Sequence, residues 1–155
     1  MNSSRDSAGS YVLILRLPMA TSLEVGRLGL REFSPGYYAY VGSAMGGLKR
    51  RLRRYVSARR TTRWHVDYLT ELAAIGTIAV FEARQRLECR IAEALTCEFS
   101  SVKGFGCSDC ACPSHLFFST TEADMIAGVG KVGRMIGVRP VVLSGDGIGR
   151  HLGSP

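Results

Sequence analysis

The sequence predicts an α/β fold: one compact domain in which a small, mostly antiparallel central sheet is flanked by helices. Three observations carry that expectation. Short β-favouring runs bounded by Gly or Pro alternate with amphipathic stretches of helical period. The chain has 155 residues, enough for one ordinary domain and too few for two. Hydrophobic residues make up 46% of it, enough for a core, yet no apolar run approaches the roughly 18 residues of a membrane-spanning helix.

The elements follow in chain order. Residues 1–8 are polar, carry Arg5 and Asp6, and are expected to be a disordered lead without the apolar segment of a signal peptide. A cytoplasmic location follows as an expectation. The domain itself is expected over 9–136. Residues 11–17 are of strand type and end at Pro18. Residues 20–35 mix Gly26, Gly29 and Pro35 with apolar side chains and suggest a strand or turn. Residues 36–42 form an aromatic strand, about three strands being expected at the centre of the sheet. Gly46 and Gly47 break that strand and a helix begins near Leu48. On the helix Leu48, Leu52, Tyr55 and Val56 fall on one stripe. At about 100° per residue Arg51 borders that stripe, while Arg50, Arg53 and Arg54 point away from it.

Thr61 and Thr62 are candidate N-caps for a second helix to about residue 74. Residues 78–81 suit a strand, and 85–98 a third helix with Leu87, Ile91, Ala94 and Leu95 inward. Glu88 borders that inner face and Glu93 lies opposite. Residues 103–115 are Gly- and Cys-rich and are expected to be loop. A short strand at 116–119 and a helix over 121–136, weakened by Gly128, Gly130 and Gly133, complete the domain. Residues 137–155 are expected to be a partly frayed tail.

The formal net charge is +7, and only Lys49, Lys103 and Lys131 are lysines. Arg offers a planar fork that suits phosphate bidentately. Residues 49–63 hold eight Lys or Arg and no acid. A polyanion is therefore the expected partner, with Lys49, Arg50, Arg53 and Arg54 as its contacts. The five cysteines, at 89, 97, 107, 110 and 112, are an odd number and argue against a disulfide framework in an intracellular chain. Cys107, Cys110, Cys112 and His115 could hold zinc, but Cys-x-Cys is an awkward chelate, and a packed loop with free thiols is the preferred expectation. His65 could act as general acid or base or contact a phosphate; equally it could be a helix-start histidine bonded to backbone or to Asp67.

The stretch 36–56 resembles the catalytic module of the GIY-YIG endonucleases. Those proteins carry a Tyr-Ile-Gly or Tyr-Val-Gly triplet, a polar turn, and a helix with one catalytic Arg. Here the triplet is Tyr40, Val41 and Gly42. Leu48, Lys49, Arg50, Arg51, Leu52 and Arg53 match the helix of the repair nucleases of this group, with one extra Gly in the turn, which implies Arg51 as the catalytic Arg. The family's first triplet is matched by Gly9, Ser10 and Tyr11, with a polar middle residue and a long gap to Tyr40. The family's later Glu implies Glu88 as the single protein ligand of Mg²⁺ or Mn²⁺, with Glu82 and Glu93 as competitors. The segments 63–69, 88–89, 104–112 and 114–117 are similar to one branch, a prokaryotic GIY-YIG-like family of unknown function found alone or fused to endonuclease-III-type DNA glycosylases. That likeness covers roughly residues 9–118.

The expectation is thus a metal-dependent endonuclease-like hydrolase of phosphodiesters, acting in DNA repair or nucleic-acid processing. DNA is expected ahead of RNA, with DNA repair proteins as further partners and no membrane. Tyr40 or Tyr11 would position or deprotonate the attacking water, Arg51 would neutralise phosphoryl charge, and Glu88 would hold the metal. Two alternatives stand beside it: a nucleic-acid-binding module of the same fold without catalysis, and a cysteine-based zinc or redox protein.

Overall fold

The computed structural model describes residues 6–57, 62, 64–107 and 110–152. It is an α/β domain built on a six-stranded sheet in the order β6-β7-β4-β1-β5-β8, with every pairing antiparallel. The strands are β1 (Gly9–Leu17), β4 (Gly36–Ala44), β5 (Ala74–Glu82), β6 (Ser100–Ser101), β7 (Leu116–Ser119) and β8 (Val141–Ser144). A separate two-stranded sheet joins β2 (Thr21–Glu24) to β3 (Leu30–Phe33) around a 3-10 turn at Gly26–Leu28. The helices are α1 (Leu48–Val56), α2 (His65–Thr70), α3 (Glu88–Thr96), α4 (Glu122–Ile136) and α5 (Asp146–Leu152).

Strand β1 is central because both of its faces are apolar. All nine of its residues except Arg16 are buried. Its side chains alternate across the sheet, as the pleat demands. Tyr11, Leu13, Leu15 and Leu17 join one cluster with Leu48, Leu52 and Tyr55 of α1, Val66 and Leu69 of α2, and Ile148 and Leu152 of α5. Val12 and Ile14 join the other with Leu87, Ile91 and Leu95 around α3 and Met125, Val129 and Val132 of α4. The sheet is therefore covered on both faces.

Six strands replace the expected three at the centre, since two-residue β6 and the late β8 carry too little periodicity to be visible locally. The segment after Gly137 is not a frayed tail over its described length. Strand β8 pairs with β5 from Thr77–Ser144 to Val80–Val141, and Leu143, Ile148 and Leu152 are buried. Nor is the described end of the lead disordered. Asp6 accepts hydrogen bonds from the amides of Lys49 (2.8 Å) and Arg50 (2.9 Å), and Ser7 carbonyl accepts one from Leu48 (2.8 Å). Three of the orphan amides that open α1 are thereby satisfied by a segment forty residues upstream. Thr61, one expected N-cap of α2, lies outside the described residues. Helix α2 starts later than expected, and the Asp67 carboxylate reaches back to the Trp64 amide at 2.7 Å. The glycines of α4 serve close packing: a side chain at Gly128 would collide with the Phe99 ring, and one at Gly133 with Pro140. No helix among the described residues is long and apolar enough to cross a membrane.

Candidate active site

One cleft of about 450 Å³ is lined by Tyr11, Tyr40, Arg51, His65 and Glu88, together with Gly42, Ser43, Trp64, Arg86, Cys89, Gly106, Cys110 and His115. The five candidate catalytic residues thus come from five elements and meet in one place. Arg51 reaches it because it borders the buried stripe of α1; Glu88 does so as the first residue of α3. The Ser10 hydroxyl accepts the Leu87 amide at 3.1 Å, which ties the start of α3 to the start of β1.

Arg51 is half-buried and held from two sides. Its Nη1 donates to the Ser43 carbonyl at 3.2 Å, and its guanidinium lies 4.5 Å from the Trp64 ring centroid. Cation–π stacking and one backbone bond fix the fork without neutralising its charge. Glu88 stands opposite with partial exposure. Arg86 Nη1 lies 3.7 Å from its Oε1 and His115 Nδ1 lies 3.9 Å from its Oε2, both beyond hydrogen-bonding distance.

The phenols behave differently from the expectation. Burial raises the pKa of Tyr11, against lowering contributions from its bond to Tyr55 and from Arg51. Burial raises Tyr40 well above its ordinary value, and the neighbouring Tyr11 and Glu88 add to the rise. Both therefore stay protonated at neutral pH, and neither is suited to deprotonate water; the role left to them is hydrogen bonding. The hydroxyl of Tyr11 is moreover engaged with that of Tyr55 at 2.8 Å. Tyr55 had been visible only as one residue of an apolar stripe.

His65 takes a backbone bond and lines the cleft as well. Its Nδ1 accepts the Gly106 amide at 2.9 Å, and its ring meets Phe105 edge to face at 5.5 Å. Burial lowers its pKa. A neutral imidazole that accepts at Nδ1 carries its proton on Nε2, so the ring offers a donor rather than a base.

The basic face of α1 divides. Arg50 and Arg53 are exposed and Lys49 is half-buried. Arg53 also donates from Nε to the Leu152 carbonyl at 2.7 Å. Arg54 does not point to solvent as expected. It forms a two-bond pair with buried Asp67, at 2.8 and 2.9 Å, and its guanidinium lies 4.3 Å from the Trp64 centroid. The packing of α2 against the end of α1 draws it in, because a buried carboxylate needs a partner. Val56, expected in the apolar stripe, is exposed instead.

The cysteine set also changes. Cys89, Cys110, Cys112 and His115 present ligand atoms within 4.8 Å of one another, whereas Cys107 Sγ lies 3.2 Å from the Phe105 carbonyl. Cys89 had no sequence neighbour to signal it, since it arrives from α3. Trp64, Arg86 and Gly106 were likewise absent from the expected site. Trp64 and Gly106 fall within the segments 63–69 and 104–112 that carry the resemblance, and that was the signal available for them.

Comparison with known proteins corrects the expected assignment. The model that matches the chain, over residues 10–137, is that of a domain of unknown function, DUF123, and not that of the GIY-YIG endonucleases, so the expected assignment to that superfamily does not stand. No curated protein and no solved structure matches it. The match runs from the second residue of β1 to the end of α4 and so includes every residue of the cleft, and on it the chain belongs to the DUF123 family, a domain of unknown function.

Proposed function

We propose that this protein hydrolyses phosphodiester bonds in nucleic acid, with a divalent cation held at Glu88. The observation that carries the proposal is the single cleft shared by the Arg51 guanidinium and the Glu88 carboxylate. A phosphodiester demands that pairing: a fork that meets developing charge on the phosphoryl oxygens, and a hard oxygen ligand for a metal. The two oxygens of Glu88 have no hydrogen-bonding partner within reach among the described residues, which suits Mg²⁺ or Mn²⁺, cations that keep most of their waters. When bound, such a cation polarises the phosphate and stabilises the leaving oxygen. The protein's own groups do the rest. Arg51 clamps the phosphoryl oxygens, Tyr40 donates from its protonated hydroxyl, and His65 donates from Nε2. Tyr11 holds its place through Tyr55 and shapes the floor of the cleft.

Arg50 and Arg53 lie exposed on the helix that carries Arg51, and Lys49 lies in its first turn. They would follow the sugar-phosphate backbone, giving affinity without sequence information. DNA is the substrate proposed first, in repair or processing alongside other DNA repair proteins. None of the five cysteines is disulfide-bonded, in keeping with a reducing compartment, and the cytoplasm is the location proposed.

The test is incubation with branched, nicked and single-stranded DNA and RNA, with and without Mn²⁺. Cleavage that needs the cation and disappears in Arg51→Ala supports the reading. Cleavage unaffected by chelation overturns the metal role. Salt-dependent binding with no cleavage of any substrate makes the protein a nucleic-acid-binding module instead.

A further inference from the structure

We propose that Cys89, Cys110, Cys112 and His115 form a zinc site that pins the 102–115 loop to the first turn of α3. The four ligand atoms lie within 4.8 Å of one another. A tetrahedral ion with Zn–S of about 2.3 Å and Zn–N of about 2.0–2.1 Å sets S···S edges of about 3.8 Å and S···N edges of about 3.6 Å. Cys110 Sγ and His115 Nε2 already stand 3.4 Å apart. The remaining edges are no longer than 4.8 Å, about 1 Å above the tetrahedral value. Three thiolates and one imidazole are soft to borderline donors, which select zinc over Mg²⁺ or Ca²⁺.

The two ends of the loop are held by buried Phe105 and by the Ser114 hydroxyl, which bonds the Val102 and Leu116 carbonyls, whereas the stretch that carries Cys110 and Cys112 has no regular structure. Residues 102–115 contain neither helix nor strand among those described. The loop is anchored by a few backbone bonds, such as His115 amide to Phe105 carbonyl at 2.8 Å and Gly104 amide to Pro113 carbonyl at 2.8 Å. Yet it supplies Gly106, Cys110 and His115 to the wall of the cleft. A metal bound there would tether that stretch to α3, because Cys89 comes from the helix and Cys110, Cys112 and His115 come from the loop.

The surroundings of His115 agree with the ligand set. Nε2 of His115 faces the sulfur of Cys110, so Nδ1 is left for the other side, where the Glu88 carboxylate stands at 3.9 Å. Ligating histidines commonly turn their far nitrogen to a carboxylate, which fixes tautomer and ring orientation. The zinc site borders the proposed catalytic cleft directly, since Cys89, Cys110 and His115 line its wall beside Glu88. The zinc proposal itself does not depend on phosphodiester cleavage.

The test uses the full chain, purified under reducing conditions without added chelator. Elemental analysis is expected to find about one zinc per chain. Cobalt exchange should give the thiolate charge-transfer and visible bands of a tetrahedral site. Cys97→Ser and Cys107→Ser should keep the full zinc content and the cobalt spectrum. Cys112→Ser and Cys89→Ser should lose the metal. Glu88→Gln should bind zinc more weakly, on the order of 10–100-fold, as measured by competition with a chromogenic chelator. Wild-type protein that takes up neither zinc nor cobalt overturns the proposal. So does loss of metal in Cys107→Ser together with its retention in Cys89→Ser. Because the readouts are metal content and spectrum, they stand whether or not any nucleic acid is cut.

Discussion

Tyr11 lies across Gly42. The two are paired in the register of β1 and β4, and the ring of Tyr11 approaches so closely that its Cζ and hydroxyl oxygen would stand 2.5 Å from a side chain at Gly42. Gly42 is required there for space. That space lets the Tyr11 hydroxyl reach Tyr55 on α1, and it opens the cleft between strand and helix.

Gly42→Ala should therefore destabilise the protein by about 1–3 kcal/mol, the usual cost of forcing a methyl into a filled core. Chemical denaturation measures this. The variant should also separate Tyr11 from Tyr55, whose hydroxyls are 2.8 Å apart. A Gly42→Ala protein as stable as its parent would mean that the ring does not sit over that position.

Arg51→Ala and Glu88→Gln should each reduce any cleavage about a hundred- to thousand-fold, the loss typical of a positioned charge that acts in the transition state. Stability should change by less than about 1–2 kcal/mol, because each residue borders the core without filling it. Single-turnover cleavage and thermal melts read the two effects separately. Full activity of Glu88→Gln in Mg²⁺ would remove Glu88 as the ligand.

Arg54 and its neighbours on α1 should separate. Arg54→Ala removes the main partner of buried Asp67 and should cost on the order of 3 kcal/mol in folding stability, near the lower end for a broken buried pair because the Trp64 amide still donates to Asp67. Arg50→Ala with Arg53→Ala should leave stability almost unchanged, Arg53 giving up one bond to the Leu152 carbonyl. It should instead flatten the salt dependence of nucleic-acid binding, lowering the slope of log K against log salt by about 2. An unchanged slope in that double variant would exclude this face of α1 as the docking surface.

His65 gives a pH test with a definite sign. Burial lowers its pKa below the ordinary 6.5, so the folded protein keeps it neutral where the unfolded chain takes a proton. The contribution to stability is full above about 6.5 and is lost as pH falls toward the folded pKa, since the unfolded state binds the extra proton there. The Gly106 amide reinforces this by donating into Nδ1 at 2.9 Å, a position an imidazolium cannot offer as an acceptor. His65→Asn keeps an acceptor for that amide and cannot titrate. Its stability, measured by denaturant titration from pH 7 to 5, should decline less steeply than that of the parent. His115 is the same in both proteins, so whatever it contributes cancels in the comparison.

What the sequence by itself determined is local. Alternation and turn residues located β1, β4 and β7, and helical period located α1, α3 and α4, because hydrophobic period and Gly or Pro breaks act over a single element. The same arithmetic placed Arg51 at the edge of its stripe and Glu88 at the edge of the inner face of α3, positions from which both reach the cleft. Tertiary structure decided what depends on contacts between distant segments. Asp67 drew in Arg54, whose helical angle alone had aimed it at solvent. Helix α3 brought Cys89 to Cys110 and Cys112, displacing Cys107, which is nearer in the chain. The Tyr11–Tyr55 pair, the Asp6 cap on α1 and the pairing of β8 with β5 each join residues more than forty positions apart. No periodicity records such a separation; it is settled only when the core closes and each buried polar group must find its partner.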